Sequence, residues 1–275
     1  MKKIETEELK KIEIEALDYF AKVCEDNGLI YFISGGALLG ALRHKGFIPW
    51  DDDIDVMMPR KDYNKLFEIF PKDSYYKVRD IRNTKNYPMP FATLDDTRTF
   101  KQEHKMREKY TQSLCVNIDI FPIETVPESK EEIEALYNKI ARLGAKLQCT
   151  TYKFGKGQGF FKTVRKNIGI LYYRMLELFG ITSAQKVIKE FIATGTQYNG
   201  TDSKLCGVTL ISHYGSKEVN IKADYLPAVK VPFEGKMYNA PKCYDTYLSQ
   251  LYGDYMAMPP KDKQKTHHTS DCYWR

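Results

Sequence analysis

Residues 29–59 read LIYFISGGALLGALRHKGFIPWDDDIDVMMP, and their pattern predicts the first elements of the fold. Its apolar run at 29–33 has the length of a strand, and the Ser-Gly-Gly sequence at 34–36 ends that run in a turn. We predict a short helix over 37–43, which stops before Gly46 and Pro49 because neither residue favours a helix. The run at 54–58 predicts a second strand, entered through three consecutive aspartates. A strand, a glycine turn, a helix and an acidic strand therefore follow one another.

The rest of the chain mixes helical and strand patterns. Apolar spacing predicts helices over 6–26 and 60–70, while short apolar runs predict strands at 75–78, 91–94 and 114–120. After Pro127 the pattern is helical over 128–149 and 160–198, and a last helix is predicted at 244–251. We therefore predict an α+β fold, with a mixed sheet, flanking helices and a helical addition.

The composition indicates a protein with a packed core. Apolar residues make up 43% of the 275 residues and charged residues 28%. The formal net charge of +6 favours anionic partners, but no nucleic-acid-binding motif occurs, so a nucleic acid is not expected as a partner. The six cysteines are scattered without metal-site spacing, which is typical of a reducing compartment. Because no signal-peptide pattern or membrane-spanning apolar run is visible, the sequence predicts a cytoplasmic protein.

The acidic strand predicts a metal site. Side chains alternate faces along a strand, so Asp53 and Asp55 point the same way while Ile54 and Val56 point to the opposite, buried face. Two adjacent carboxylates repel each other, and a divalent cation removes that conflict. Oxygen ligands select Mg²⁺ or Mn²⁺, and Mg²⁺ typically combines one or two carboxylates with phosphate and water.

The acidic stretch has two other interpretations. A solvated acidic turn before a strand is the common case for such clusters. A calcium loop would need glycine at its sixth position and glutamate at its twelfth, and these positions hold Val56 and Asp62. The sequence therefore excludes the calcium loop and leaves the acidic turn as the alternative.

The preceding Ser34-Gly35-Gly36 turn predicts a phosphate site. A glycine turn that opens a helix presents unobstructed backbone N–H groups at the positive end of the helix dipole, and this arrangement suits a phosphate. A Gly-Gly pair alone is usually only a turn. Followed by a strand bearing Asp-x-Asp, it is a more specific signal.

These motifs resemble the signature of the LicD family, which belongs to the nucleotidyltransferase-fold superfamily. The resemblance rests on GGALLGALRHKGFIPWDDDIDVMMPRKDY at 35–63, NIDIFP at 117–122 and YGDYM at 252–256 with the Pro-Pro pair at 259–260. It implies a nucleotidyltransferase-like core over 1–127, a helical region over 128–204, and a segment over 205–275 that completes the same domain. It also implies that Asp119 is a third catalytic carboxylate, which either completes the metal site or accepts the proton of the acceptor hydroxyl; a turn-capping aspartate before Pro122 is the alternative.

Further residues match the family pattern as substrate contacts. Arg43 suits bidentate phosphate binding, and His44 is either a general acid or base or a residue placed against the helix dipole. Arg60 is either a substrate contact or an ordinary first-turn helix residue. His267 and His268 match a family element near the C-terminal end, where substrate contact or plain surface exposure is more plausible than metal ligation.

The resemblance implies a phosphotransferase. Family members move a phosphorylated alcohol, typically phosphocholine, from a CDP-linked donor such as CDP-choline to a sugar of a cell-surface glycan, a lipid-linked glycan or a teichoic acid precursor. Choline would call for an aromatic cage. One alternative is a nucleotidyltransferase that attacks the α-phosphate of a nucleotide. The other is a non-catalytic module that binds glycans or nucleotides.

The segment 160–168 combines aromatic and basic residues and has two interpretations. The favoured one is an amphipathic helix that packs on the core and turns a basic face outward. The other is a peripheral contact with the inner face of a membrane that carries a lipid-linked acceptor.

Overall fold

The computed structural model describes residues 1–156, 159–211, 213–266 and 270–275. The strands are β1 (Lys3–Ile4), β2 (Phe32–Ile33), β3 (Asp55–Pro59), β4 (Tyr76–Arg79), β5 (Ala92–Asp96), β6 (Thr99–Glu103), β7 (Val116–Thr125), β8 (Leu205–Val208), β9 (Asn220–Ile221), β10 (Val229–Phe233), β11 (Lys236–Ala240) and β12 (Ser270–Trp274). The helices are α1 (Thr6–Asp26), α2 (Gly35–Arg43), α3 (Arg60–Ile69), α4 (Glu108–Thr111), α5 (Lys130–Thr151), α6 (Phe160–Leu178), α7 (Ala184–Gly195) and α8 (Tyr244–Tyr252).

A mixed sheet forms the centre of the molecule. Its strands lie in the order β2-β3-β7-β5-β4, and β8 and β9 continue it from the far end of β7. The β3–β7 pair is parallel and the other pairs are antiparallel. With helices packed beside a mixed sheet, the predicted α+β fold is confirmed.

The predicted N-terminal elements are present, but the ends of two of them differ. The strand predicted at 29–33 is limited to Phe32–Ile33, and the helix predicted at 37–43 begins earlier, at Gly35, within the predicted turn. Helix α1 covers the predicted 6–26 and buries a stripe at helical spacing against β5 and β7: Ile12, Ala16, Leu17, Phe20 and Val23. Strand β3 begins within one residue of the predicted strand, and its central residues Val56, Met57 and Met58 are fully buried. The apolar run that predicted this strand is thus the part of β3 that packs in the core.

Strand β7 is longer than its predicted counterpart. The sequence predicts a strand over 114–120, which ends before Pro122, and proline lacks the N–H that a sheet ladder needs. On one side, however, pairing with β5 ends at Ile120 and pairing with β8 begins only at Ile123. Pro122 lies in this gap, so the ladder on that side loses no hydrogen bond and the strand continues to Thr125.

The N-terminal and C-terminal strands, β1 and β12, pair with each other, and β12 also pairs with β6, a strand that was not predicted. Strand β12 lies between β1 and β6 in a three-stranded antiparallel sheet, with Lys101 of β6 opposite Cys272. This sheet places β6 beside the central sheet.

The helical addition has a core of its own. Helices α5 and α7 pack on each other around an apolar cluster that includes Tyr137, Ile140 and Phe191. The predicted helical stretch 160–198 is divided into α6 and α7 at Gly180, which has a φ of +68°. The division of the chain at 127 and 204 stays a prediction.

Helix α6 differs from its favoured interpretation as a core helix. Of its side chains only Ile170 is buried, and its apolar face is exposed. That expectation is therefore wrong. No helix within the described parts of the chain is both long enough and apolar enough to cross a membrane.

Candidate active site

A cleft of about 800 Å³ opens at the start of β3. Its walls are the beginning of α2, the acidic residues 51, 53 and 55, and the C-terminal segment around 252–260. Four of the predicted site residues line it: Gly36, Arg43, Asp53 and Asp55. The structure therefore brings the glycine turn and the acidic strand to one place, as the sequence predicted.

Asp55 and Asp119 are direct partners in the parallel β3–β7 pair. Paired residues of neighbouring strands present their side chains on the same face of a sheet. The backbone N–H of Asp119 donates a hydrogen bond to the carbonyl oxygen of Ile54 at 3.0 Å, which fixes this register. The predicted placement of Asp119 beside the acidic strand is confirmed at the level of the backbone.

The glycines of the turn lie against the acidic residues. Gly35 has a φ of +51°, and a Cβ at that position would lie 3.1 Å from Asp55 Oδ2. A Cβ on Gly36 would lie 2.7 Å from Asp51 Oδ2. Ser34 donates its backbone N–H to the carbonyl oxygen of Asp55 at 2.9 Å. The glycines are thus required for the close approach of the α2 start to the carboxylates.

Two residues that the sequence did not single out complete the polar face around Asp119. Asn117 Nδ2 donates to Asp119 Oδ1 at 2.7 Å, and Lys101 Nζ donates to Asn117 Oδ1 at 3.4 Å. Burial alone would lower the pKa of Lys101, but the carboxylates of Asp119 and Glu13 outweigh it, so the pKa is raised. Lys101 is therefore a fixed cation at this face.

Only one of these two residues had a signal in the sequence. Asn117 lies two residues before Asp119 in the quoted NIDIFP motif, so strand alternation places the two side chains on one face. Lys101 had none, because β6 was not predicted and its approach to β7 depends on the sheet formed by the chain ends.

The donor chemistry of the acidic residues fits a divalent cation. Asp53, Asp55 and Asp119 offer hard oxygen atoms as ligands. The negative charges of Asp53 and Asp119 both raise the pKa of Lys101, so this face favours positive charge. Across the described ranges, however, no three or more His, Cys, Asp or Glu side chains are arranged to hold a metal ion. The metal site therefore stays a prediction.

Arg43 joins α2 to the C-terminal wall of the cleft. Its Nη1 donates to the carbonyl oxygens of Tyr255 and Ala257 at 2.9 and 3.1 Å, and its Nε donates to His44 Nε2 at 2.9 Å. Burial and the neighbouring Arg43 lower the pKa of His44. These contacts favour a positioning role for Arg43 at the edge of the cleft and a neutral His44.

The predicted substrate contact Arg60 lies away from the cleft. Arg60 follows the far end of β3, roughly 16 Å from Asp55 along the strand. Its guanidinium pairs with both oxygens of the buried Glu124, beside a separate cavity of about 290 Å³. His267 and His268 lie outside the described residues.

Aromatic side chains line the same cleft as the acidic residues. Trp50, Tyr214, Tyr252 and Tyr255 contribute to its wall. The hydroxyls of Tyr214 and Tyr252 lie 2.8 Å apart, and their rings meet edge to face at 5.4 Å between centroids. Tyr252 belongs to the quoted YGDYM motif, whereas nothing in the sequence distinguished Tyr214 from the other tyrosines.

The sequence of the chain is similar to a known family and to several known proteins. The family described as "LicD/FKTN/FKRP, nucleotidyltransferase domain" matches residues 28–141, which include the glycine turn, β3 and Asp119. The chain is 31% identical to the lipopolysaccharide cholinephosphotransferase LicD of Haemophilus influenzae, with 99% of both chains covered. It is 48% identical to human ribitol 5-phosphate transferase FKRP over 113 residues, covering 39% of this chain and 19% of that protein. An uncharacterised protein of Rickettsia typhi is 27% identical over 122 residues, 42% of this chain and 39% of that one.

Proposed function

The chain belongs to the LicD family, and we propose that it transfers phosphocholine from a CDP-linked donor to a sugar of a cell-surface glycan or teichoic acid precursor. The observation that carries the proposal is the pairing of Asp55 with Asp119 beside the glycine turn that opens α2. The full-length similarity to a cholinephosphotransferase supports choline as the alcohol. The partial similarity to a ribitol 5-phosphate transferase makes ribitol phosphate the second candidate.

In the proposed site the donor pyrophosphate lies between the start of α2 and the acidic strand. Backbone N–H groups at the start of α2 bind phosphate oxygens, helped by the positive end of the helix dipole. Asp53, Asp55 and Asp119 would hold Mg²⁺ or Mn²⁺, which would neutralise charge on the phosphates. Lys101 adds positive charge behind Asp119 and keeps that carboxylate oriented through Asn117.

The aromatic wall suits a quaternary ammonium group. Cations bind over the faces of tryptophan and tyrosine rings, and an aromatic cage is the usual recognition site for choline. Trp50, Tyr214 and Tyr252 lie in the same cleft as Asp53 and Asp55. A donor whose phosphates contact the acidic strand therefore has aromatic rings available for its choline group.

We place the reaction in the cytoplasm. All six cysteines are free thiols in the structure, as expected for a reducing compartment. The acceptor is a glycan or a lipid-linked glycan.

Product analysis tests the proposal. The protein is incubated with CDP-choline or CDP-ribitol, Mg²⁺ and a glycan acceptor, and the released nucleotide is identified by chromatography. CMP release with either donor is expected. In a parallel incubation with CTP in place of the CDP-linked donor, pyrophosphate release would favour the nucleotidyltransferase alternative if neither CDP-linked donor yields CMP. Tight donor binding without turnover would favour the non-catalytic module.

A further inference from the structure

Helix α6 exposes an apolar face that no other part of the described chain covers. Phe161 is 85% exposed, Ile168 62%, Tyr172 57% and Met175 50%. These positions recur at seven, four and three residues, so they lie on one side of the helix. Further exposed apolar residues extend the same side: Phe160, Val164, Leu171, Leu178 and Phe179. We refer to these nine residues as the α6 stripe.

The opposite side of α6 attaches the helix to the molecule. Ile170 is its buried residue, and Glu177 accepts charged hydrogen bonds from Arg107 at 2.5 Å and Lys109 at 2.6 Å. Asn167 Oδ1 accepts the backbone N–H of Gly155 at 3.1 Å. Because these contacts fix the rotation of the helix, the α6 stripe is held facing outward.

The charge around α6 is one-sided. Residues 152–176 contain no aspartate or glutamate and six basic residues: Lys153, Lys156, Lys162, Arg165, Lys166 and Arg174. The chain has 42 basic and 36 acidic residues, so the rest of it is formally neutral. Residues 152–178, which include Glu177 near the end of α6, therefore carry five of the six net positive charges of the protein.

We propose that α6 lies flat on an anionic lipid bilayer, with the α6 stripe inserted among the acyl chains and the basic residues beside it bound to lipid phosphates. A helix with an apolar face and a basic flank, too charged to cross a bilayer, has the properties of an interfacial helix. Its 19 residues span roughly 28 Å, enough to anchor the protein along the surface.

Charge complementarity favours a lipid over a second copy of the chain. In a twofold dimer both copies bring the same surface to the interface, so the basic residues of both copies would gather there, and residues 152–176 hold no acidic side chain to pair with them. An anionic bilayer satisfies both the apolar and the basic groups. The proposal stands apart from the transferase activity, because it concerns a surface that contributes nothing to the walls of the cleft.

Vesicle co-sedimentation with the full chain tests the proposal. The unmodified protein is expected to sediment with vesicles of phosphatidylcholine and phosphatidylglycerol, and much less with phosphatidylcholine alone. Phe161→Ser combined with Ile168→Ser should lower the partition coefficient by about tenfold or more, since two large apolar side chains are lost. Lys162→Gln combined with Arg165→Gln should lower it on the phosphatidylglycerol vesicles and reduce its salt dependence.

The matched control is Ile221→Ser combined with Met237→Ser, which removes exposed apolar side chains elsewhere on the surface. This variant should bind vesicles as the unmodified protein does. All replaced residues are exposed, and circular dichroism checks that each variant is folded. Absence of vesicle binding, or binding unchanged by the Phe161 and Ile168 substitutions, would overturn the proposal. A dimer in light scattering that the same substitutions dissociate, without vesicle binding, would assign the α6 stripe to a second copy instead.

Discussion

Asp55 and Asp119 are 64 residues apart in the chain, yet they are direct partners on neighbouring parallel strands. The hydrogen bond from Asp119 N–H to the Ile54 carbonyl oxygen, at 3.0 Å, fixes this register at the open end of β3. Two carboxylates are thereby held on one face of the sheet beside the start of α2. The proposed transfer depends on this relationship.

Asp119→Asn tests whether the pair acts on the reaction. If Asp119 supports phosphoryl transfer, turnover should fall by about a hundredfold or more, because an amide neither binds a divalent cation nor accepts a proton as a carboxylate does. The melting temperature should change little, since asparagine keeps the size of the side chain. The exposed Asp73→Asn is the control and should keep full turnover. Asp119→Asn with normal turnover would assign this aspartate a capping role.

Lys101 is expected to compensate the negative charge of the acidic residues. Lys101→Met removes that cation, so the protein without Mg²⁺ should be less stable and the rise in melting temperature on adding Mg²⁺ should be larger than in the unmodified protein. Thermal melts with and without Mg²⁺ measure both quantities. Lys101→Arg, which keeps the charge, should behave like the unmodified protein. An identical Mg²⁺ response in all three proteins would show that Lys101 does not act on the site.

Gly35→Ala should affect activity beyond its effect on stability. The added Cβ meets Asp55 Oδ2 at 3.1 Å, and the positive φ costs about 1 kcal/mol for an alanine. Gly28→Ala is the matched control, because Gly28 also has a positive φ but a Cβ there has no neighbour within 4 Å. Urea unfolding should show similar losses for both variants, whereas turnover should fall only in Gly35→Ala. Equal turnover in the two would remove Gly35 from the site.

Trp50 is expected to distinguish choline from a neutral alcohol. Trp50→Leu keeps an apolar side chain but removes the ring, which is worth about 1–2 kcal/mol to a cation held against it. The KM for CDP-choline should therefore rise roughly tenfold, while the KM for CDP-ribitol should change much less. Steady-state kinetics with both donors measure the ratio. A parallel rise in both KM values would indicate general damage to the cleft.

Glu218 makes stability depend on pH. Its side chain is 2% exposed, its Oε2 has no hydrogen-bond partner among the described residues, and burial raises its pKa from 4.5 to about 8. Between these values the unfolded chain loses the proton that the folded protein keeps, so stability falls as pH rises, by roughly 2–4 kcal/mol.

Glu218→Gln should remove this dependence. Urea midpoints at about pH 5 and about pH 9 should then differ less than in the unmodified protein, and the variant should be the more stable of the two at the higher pH. The exposed Glu134→Gln is the control and should leave the difference unchanged. A variant that keeps the full pH dependence would show that Glu218 is not its source.

The sequence predicted the local elements of the site well and its long-range contacts poorly. The turn at 34–36 and the strand after Asp53 follow from glycine and from alternating side chains, both of which act within a few residues. Lys101 and Tyr214 enter the site only through sheet and loop packing, which leaves no local pattern. Arg60 matched a motif, but β3 carries it away from the cleft.

The exposure of the α6 stripe also could not be predicted from the local sequence. An apolar stripe at helical spacing is the ordinary pattern of a core helix, and nothing local distinguishes it from an exposed one. The difference depends on which side of α6 attaches to the molecule, and Ile170 and Glu177 determine that through contacts distant in the chain.

Phosphorus NMR of the reaction with CDP-choline, Mg²⁺ and an acceptor glycan shows whether the protein transfers phosphocholine and whether Asp55 and Asp119 are needed for it. The unmodified protein should convert the pyrophosphate signals of the donor into those of CMP and a phosphodiester, and Asp55→Asn and Asp119→Asn should leave the donor intact. Release of free phosphocholine in place of a phosphodiester, as attack on the cytidine-bound phosphorus would give, or full conversion by both variants, would contradict the assignment of phosphocholine transfer to the Asp55–Asp119 pair.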